Sequence, residues 1–197
     1  MLQNLHAFLA SPLLCALALS AAFVTARGQT TSSADAKLTP APKAVLVLSP
    51  EFCATSFKPK GSWVTRESGT FKVGQAACEE FEPALKGVFP NLIRVAVTPS
   101  PEDSQVMLLP RFIDADASKT MGTGKRELIV LLEWTVKDKS GRTVWIETVQ
   151  GSAKHGMGNA FTHGKDMELI TKDSVKDLAQ QSATKMAASP ELHKLTQ

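Results

Sequence analysis

The sequence contains no tyrosine, and aromatic residues make up only 6% of its 197 positions. Base-stacking surfaces draw on Tyr, Phe and Trp, so that resource is thin. Positive charge is modest too. Twenty-two Lys and Arg against 19 Asp and Glu leave a net charge of +3, and there is no dense Lys/Arg run with interleaved aromatics. A nucleic-acid surface is therefore not expected. The catalytic motifs G-x-S-x-G, H-E-x-x-H and C-x-x-C are absent. Met121–Lys125 (MGTGK) lacks the full phosphate-loop pattern, and no helical pattern follows it. Beyond residue 26 no run is long and apolar enough to cross a bilayer.

The most telling absence lies at the N-terminus. Residues 1–26 carry no Asp, Glu, Lys or Arg. Within them AFLASPLLCALALSAAFVTA reads as an apolar h-region, and Val24-Thr25-Ala26 supplies small or modest side chains at the −3 and −1 positions of a cleavage site. A signal peptide over 1–26 is expected. The alternative is a retained signal-anchor, because residues 7–26 are uncharged and just long enough to span a bilayer. Any membrane association would run through this segment. Lipidation at Cys15 is not expected, since Leu14 precedes it and Pro12 stands at −3, unlike a lipoprotein signal.

Exported chains keep disulfides, and only Cys53 and Cys78 remain after the leader. One Cys53–Cys78 bridge is expected, worth roughly 3–4 kcal/mol on the chain-entropy model. The alternative is two buried, reduced thiols. Catalytic use is disfavoured: neither Cys has a His nearby in sequence, and Glu79-Glu80 oppose a thiolate at Cys78.

Hydrophobic residues at 43% and charged residues at 21% describe a globular chain, long enough for one domain plus a leader. Residues 27–42 are Thr/Ser/Ala/Pro-rich and read as a disordered linker. The domain then runs over 43–197. Lys43–Leu48 is an apolar strand, and 49–70 looks irregular, with Pro50, Pro59, Gly61 and Gly69 as breakers. Ala77, Phe81, Ala84, Leu85 and Val88 share one helical face, which predicts a helix over 71–89 with a kink or break at Pro83. Strands follow at 91–98 and 106–113. Pro110 places the latter at an edge or a bulge, and 114–124 reads as a flexible connector.

The stretch WTVKDKSGRTVW sets turn residues between two β-rich flanks. With Lys137 opposite Arg142, Trp134 faces Trp145, and Val130, Leu132, Val136, Thr143 and Val149 share their face. The tryptophans then read as core, not as a ligand platform, although a one-residue slip would split them between faces. Residues 151–165 are glycine-rich and loop-like. A second helix is predicted over 166–188, with Met167, Ile170, Leu178, Ser182 and Met186 along one side, then a short turn capped by Ser189-Pro190. The fold class is a single mixed α/β domain, four to five strands against two main helices.

Two local signatures carry a resemblance. One is Val73-Gly74 opening a helix that ends at Val88-Phe89-Pro90-Asn91. The other is the hairpin KDKSGRTVW followed by Thr148-Val149-Gln150-Gly151. Together with the order of elements they resemble the small α/β domain of bacterial envelope lipoproteins, such as the auxiliary lipoproteins of ABC transporters and the similar domains at the start of TolB and in the curli-secretion lipoprotein. The resemblance covers roughly 43–188. It implies a non-catalytic, cofactor-free domain that binds envelope proteins or assists assembly, and it carries no active-site residues.

Among candidate sites, His155, Met157 and His163, with Met167 beyond, form the only cluster of soft ligands, a set that suits copper. Its spacing matches no standard metal site, and an incidental glycine-rich loop is the plainer reading. Asp114/Asp116 and Glu79/Glu80/Glu82 are paired carboxylates of the kind ordinarily found on solvated surfaces.

Overall fold

The computed structural model describes residues 42–58, 70–100, 104–120, 125–156 and 163–196. The leader and nearly all of the linker lie outside them. Five strands form one mixed sheet in the order β2-β1-β3-β4-β5. They are β1 (Ala44–Val47), β2 (Leu92–Val95), β3 (Val106–Thr120), β4 (Lys125–Asp138) and β5 (Thr143–Gly156). β1 pairs parallel with β2 and β3, whereas β3, β4 and β5 form antiparallel pairs. The helices are α1 (Pro50–Cys53), α2 (Val73–Lys86), α3 (His163–Ala188) and α4 (Pro190–His193). None of them is long and apolar enough to cross a membrane.

Alternation decides which face each strand buries. Leu46, Leu108, Leu128, Val130, Leu132, Trp134 and Val149 point to one side and join Phe81 and Leu85 of α2 with Ile170, Leu178 and Met186 of α3. The opposite side carries a smaller cluster of Val45, Val47 and Met107, with Val95 and Leu109 packed on it.

The expected end of the third strand at Ile113 fails for a simple reason. A β-bulge inserts one residue and flips the phase of the alternation. The register of β3 on β4 shifts between Phe112 and Asp114. Core positions are therefore even-numbered up to Phe112 and odd-numbered at Ala115 and Ala117. Read at constant phase, the strand seems to stop at Ile113. In fact β3 continues through the expected connector as far as Thr120. Pro110 sits beyond Leu108, the last residue of β3 paired with β1, so its missing donor faces no ladder there.

The hairpin has the second phase shift, between Val136 and Lys137. Trp134 pairs with Glu147, and Val136 with Trp145. The expected Trp134–Trp145 pairing is thus off by two residues. A two-residue shift preserves faces, so both tryptophans stay on the core side as diagonal neighbours. Trp134 is fully buried and Trp145 half-buried. The turn is closed by Asp138, whose carboxylate accepts bonds from Ser140 and from Arg142 N. The Ser140 hydroxyl is the largest influence holding that carboxyl below its ordinary range. Gly141 takes the left-handed conformation the turn needs, at φ 78°.

The expected loop over 151–165 is also corrected at both ends. β5 runs to Gly156, and α3 begins at His163. Gly151 reads as a loop residue, but it is where α3 sits on the sheet. A Cβ there would overlap Leu178 Cβ and Ser174 O, and would stand 2.5 Å from Leu178 N. Gly151→Ala should therefore push α3 off β5 and cost about 1–3 kcal/mol, as overpacking does. Chemical denaturation checks this, and an unchanged midpoint would show that the helix yields freely.

Of the kink or break expected at Pro83, the break does not occur: α2 runs continuously from Val73 to Lys86. Pro83 is exposed, so its ring meets solvent and not the core. Ala77, Phe81, Leu85 and Val88 are buried as their spacing predicts. α1 lies in the stretch expected to be irregular. It uses the same device as α4: a Ser N-cap followed by Pro at the first helical position.

Candidate functional site

The described residues offer one covalent feature, and it joins α1 to α2. Cys53 ends α1, and Cys78 sits at the margin of the buried face of α2. They form a disulfide with Cα atoms 5.8 Å apart, inside the range a bridge spans without moving the backbone. Both cysteines are half-buried. A backbone bond from Gly74 N to Thr55 O, 3.0 Å, holds the same two segments together.

Arg94 of β2 completes this corner. Its Nη1 donates to Cys78 O at 2.7 Å, and its Nη2 reaches Cys53 Sγ at 3.8 Å. Sequence reasoning missed Arg94. The available signal was one cation inside the otherwise apolar strand Leu92–Val95.

Of the soft-ligand cluster, only His155 and Met167 have described side chains. His155 Nε2 lies 2.8 Å from Asp173 Oδ2 of α3, so its ring ties the end of β5 to the helix. Met157 and the side chain of His163 lie outside the described residues. Met167 is buried and accepts from Arg126 Nη1 at 3.1 Å. No group of three or more His, Cys, Asp or Glu placed to hold a metal occurs among the described residues.

The carboxylate sets are dispersed. Asp114 and Asp116 point away from the core side that holds Ala115 and Ala117. Glu82 pairs with Lys86 at 2.7 Å, and Glu80 with Lys172 of α3 at 4.0 Å. These are surface ion pairs.

α3 also guards the outer edge of β5. Asp177 accepts from Ser152 N at 2.8 Å, and Lys185 donates to Thr148 O at 3.2 Å and pairs with Glu147. An edge strand with its backbone groups bonded this way is a poor template for another chain. Exposed apolar side chains occur on α3, at Leu169, and on the sheet. Ile93 of β2 is 49% exposed and Ile146 of β5 is 58% exposed. Their register partners are Val45 and Thr135, which places both on the sheet face opposite α2 and α3.

No family model matches the chain, and no curated protein matches it. Among solved structures, it is similar to a minor lipoprotein from Acinetobacter baumannii at 12% identity and TM-score 0.43, covering 74% of this chain and 91% of that one. It is similar to lipoprotein B from Nitrosomonas europaea at 12% identity and TM-score 0.42, covering 79% and 90%. It is also similar to a Xanthomonas campestris protein of the DUF330 type at 8% identity and TM-score 0.45, covering 73% and 85%.

Proposed function

We propose that the chain is an exported, non-catalytic cell-envelope protein whose domain binds another envelope protein as an accessory or assembly module. The auxiliary lipoproteins that its sequence pattern resembles serve as the guide to that role. Export is supported by the uncharged N-terminal 26 residues and by the Cys53–Cys78 bridge, which suits an oxidising compartment. One observation carries the binding role. Both main helices pack on one face of the sheet; on the other face Ile93 stands exposed beside the Val45–Val47–Met107 cluster near the β2 edge, and Ile146 stands exposed on β5 at the opposite edge. Exposed apolar side chains on a sheet face that neither main helix covers support a protein-binding reading.

The test uses the double substitution Ile93→Asp and Ile146→Asp in the full chain. Surface changes of this kind alter stability by about 0.5 kcal/mol or less, so the melting temperature should hold. Cross-linking in intact cells, followed by purification, should show a specific partner band for the natural protein that disappears in the variant. If the same band survives at the same intensity, this face is not the binding surface.

A further inference from the structure

We propose that the Cys53–Cys78 bridge is a thiol–disulfide exchange site with a fixed direction, in which a dithiol reductant attacks Cys78 and Cys53 is the leaving thiolate. Three observations converge on this. Both cysteines are half-buried at the margin of the core and not enclosed within it. The Arg94 guanidinium lies 3.8 Å from Cys53 Sγ and is anchored by its bond to Cys78 O at 2.7 Å. It is already in place when charge develops on Cys53. Acidic side chains are also distributed unequally about the two cysteines. Cys78 is followed by Glu79 and Glu80, and Glu80 pairs with Lys172 at 4.0 Å. On the α1 side the one carboxylate is Glu51, which is fully exposed and held by hydrogen bonds at the start of that helix.

A thiolate leaves faster when its charge is stabilised, and which sulfur is attacked follows from that. Here the stabilised leaving group is Cys53. The reductant's thiolate forms a bond to Cys78 Sγ, the Cys53–Cys78 bond breaks, and its electron pair goes to Cys53 Sγ beside Arg94. The reductant's second thiol, deprotonated by solvent, then attacks its own sulfur in the mixed disulfide. That step expels Cys78 as a thiolate, which takes a proton. Two electrons pass to the protein and the reductant becomes a disulfide. The covalent tie between α1 and α2 is then gone, while the bond from Gly74 N to Thr55 O remains.

The experiment treats the intact oxidised protein briefly with reduced glutathione and quenches it while the first-formed mixed disulfide has not yet been resolved by the freed protein thiolate or by a second glutathione. Acid quenching, alkylation and peptide mapping then locate each adduct. Glutathione should be found mainly on Cys78, with the alkyl group on Cys53. In Arg94→Gln the preference should weaken and the exchange rate fall about two- to fivefold, the scale of one exposed charge interaction. Arg94→Lys should retain most of both. An even split, or glutathione mainly on Cys53, in the natural protein overturns the proposal. So does an Arg94→Gln variant with unchanged preference and rate. The mapping on the natural protein decides the matter even where a variant fails to fold.

Discussion

Replacing Trp134 with alanine should destabilise the domain by about 3–5 kcal/mol, the usual cost of emptying a buried aromatic site. Trp134 is 0% exposed and lies where both helices meet the sheet. Its ring is 5.2 Å from that of Phe81 in α2. Its indole nitrogen donates to Ser182 Oγ of α3 at 2.8 Å, and that hydroxyl in turn donates to Leu178 O. The side chain therefore ties three elements together. For a domain of this size the loss amounts to a fall on the order of 10 °C in melting temperature. Trp134→Phe separates the contributions. It keeps an aromatic body against Phe81 and loses the bond to Ser182, so it should cost about 1 kcal/mol for the bond plus a smaller packing term. Denaturation followed by circular dichroism reads both variants. A Trp134→Ala protein with an unshifted transition would show that the residue is not structural.

The second large effect concerns the disulfide. Cys53 and Cys78 are 25 positions apart, and a loop of that length is worth roughly 3–4 kcal/mol in the chain-entropy model. The double variant Cys53→Ser, Cys78→Ser should unfold at correspondingly lower denaturant, with a similar dependence on denaturant concentration. The change should fall chiefly on the unfolded chain, because Gly74 still bonds to Thr55 O and Phe71 still pairs with Phe57 across the same corner. Full unfolding in native buffer would mean that the bridge also carries native packing. An unchanged midpoint would mean that the unfolded chain is already compact in this region.

Much of this architecture was legible because it rests on short-range periodicity. Ala77, Phe81, Leu85 and Val88 recur at helical spacing and are buried together. Val130, Leu132, Trp134 and Val136 alternate in β4 and share the core face. Ser189-Pro190 starts a helix as its chemistry requires. The candidate site was less legible. Arg94 acts through a contact across 41 positions to Cys53, and no local pattern announces such a partner. The exposed face bearing Ile93 and Ile146 was equally hidden. Which face of a sheet stays uncovered depends on where the helices dock.

By itself the sequence determined the mixed α/β class with its two main helices, the pair of cysteines available for a bridge, and the burial of Trp134. The helices, the strands and the buried face follow from side-chain chemistry repeated at a period of 2 or 3.6 residues, and the bridge from cysteine count. Only the tertiary structure decided the hairpin register, the length of β3 and the seat of α3 on Gly151. The reason is physical. One bulged residue reverses the phase of a strand without changing its composition, and a glycine looks the same in a loop as under a helix. What distinguishes those outcomes is the surface brought against them from far along the chain: β4 against Asp114–Thr120, and Ser174 and Leu178 of α3 against Gly151.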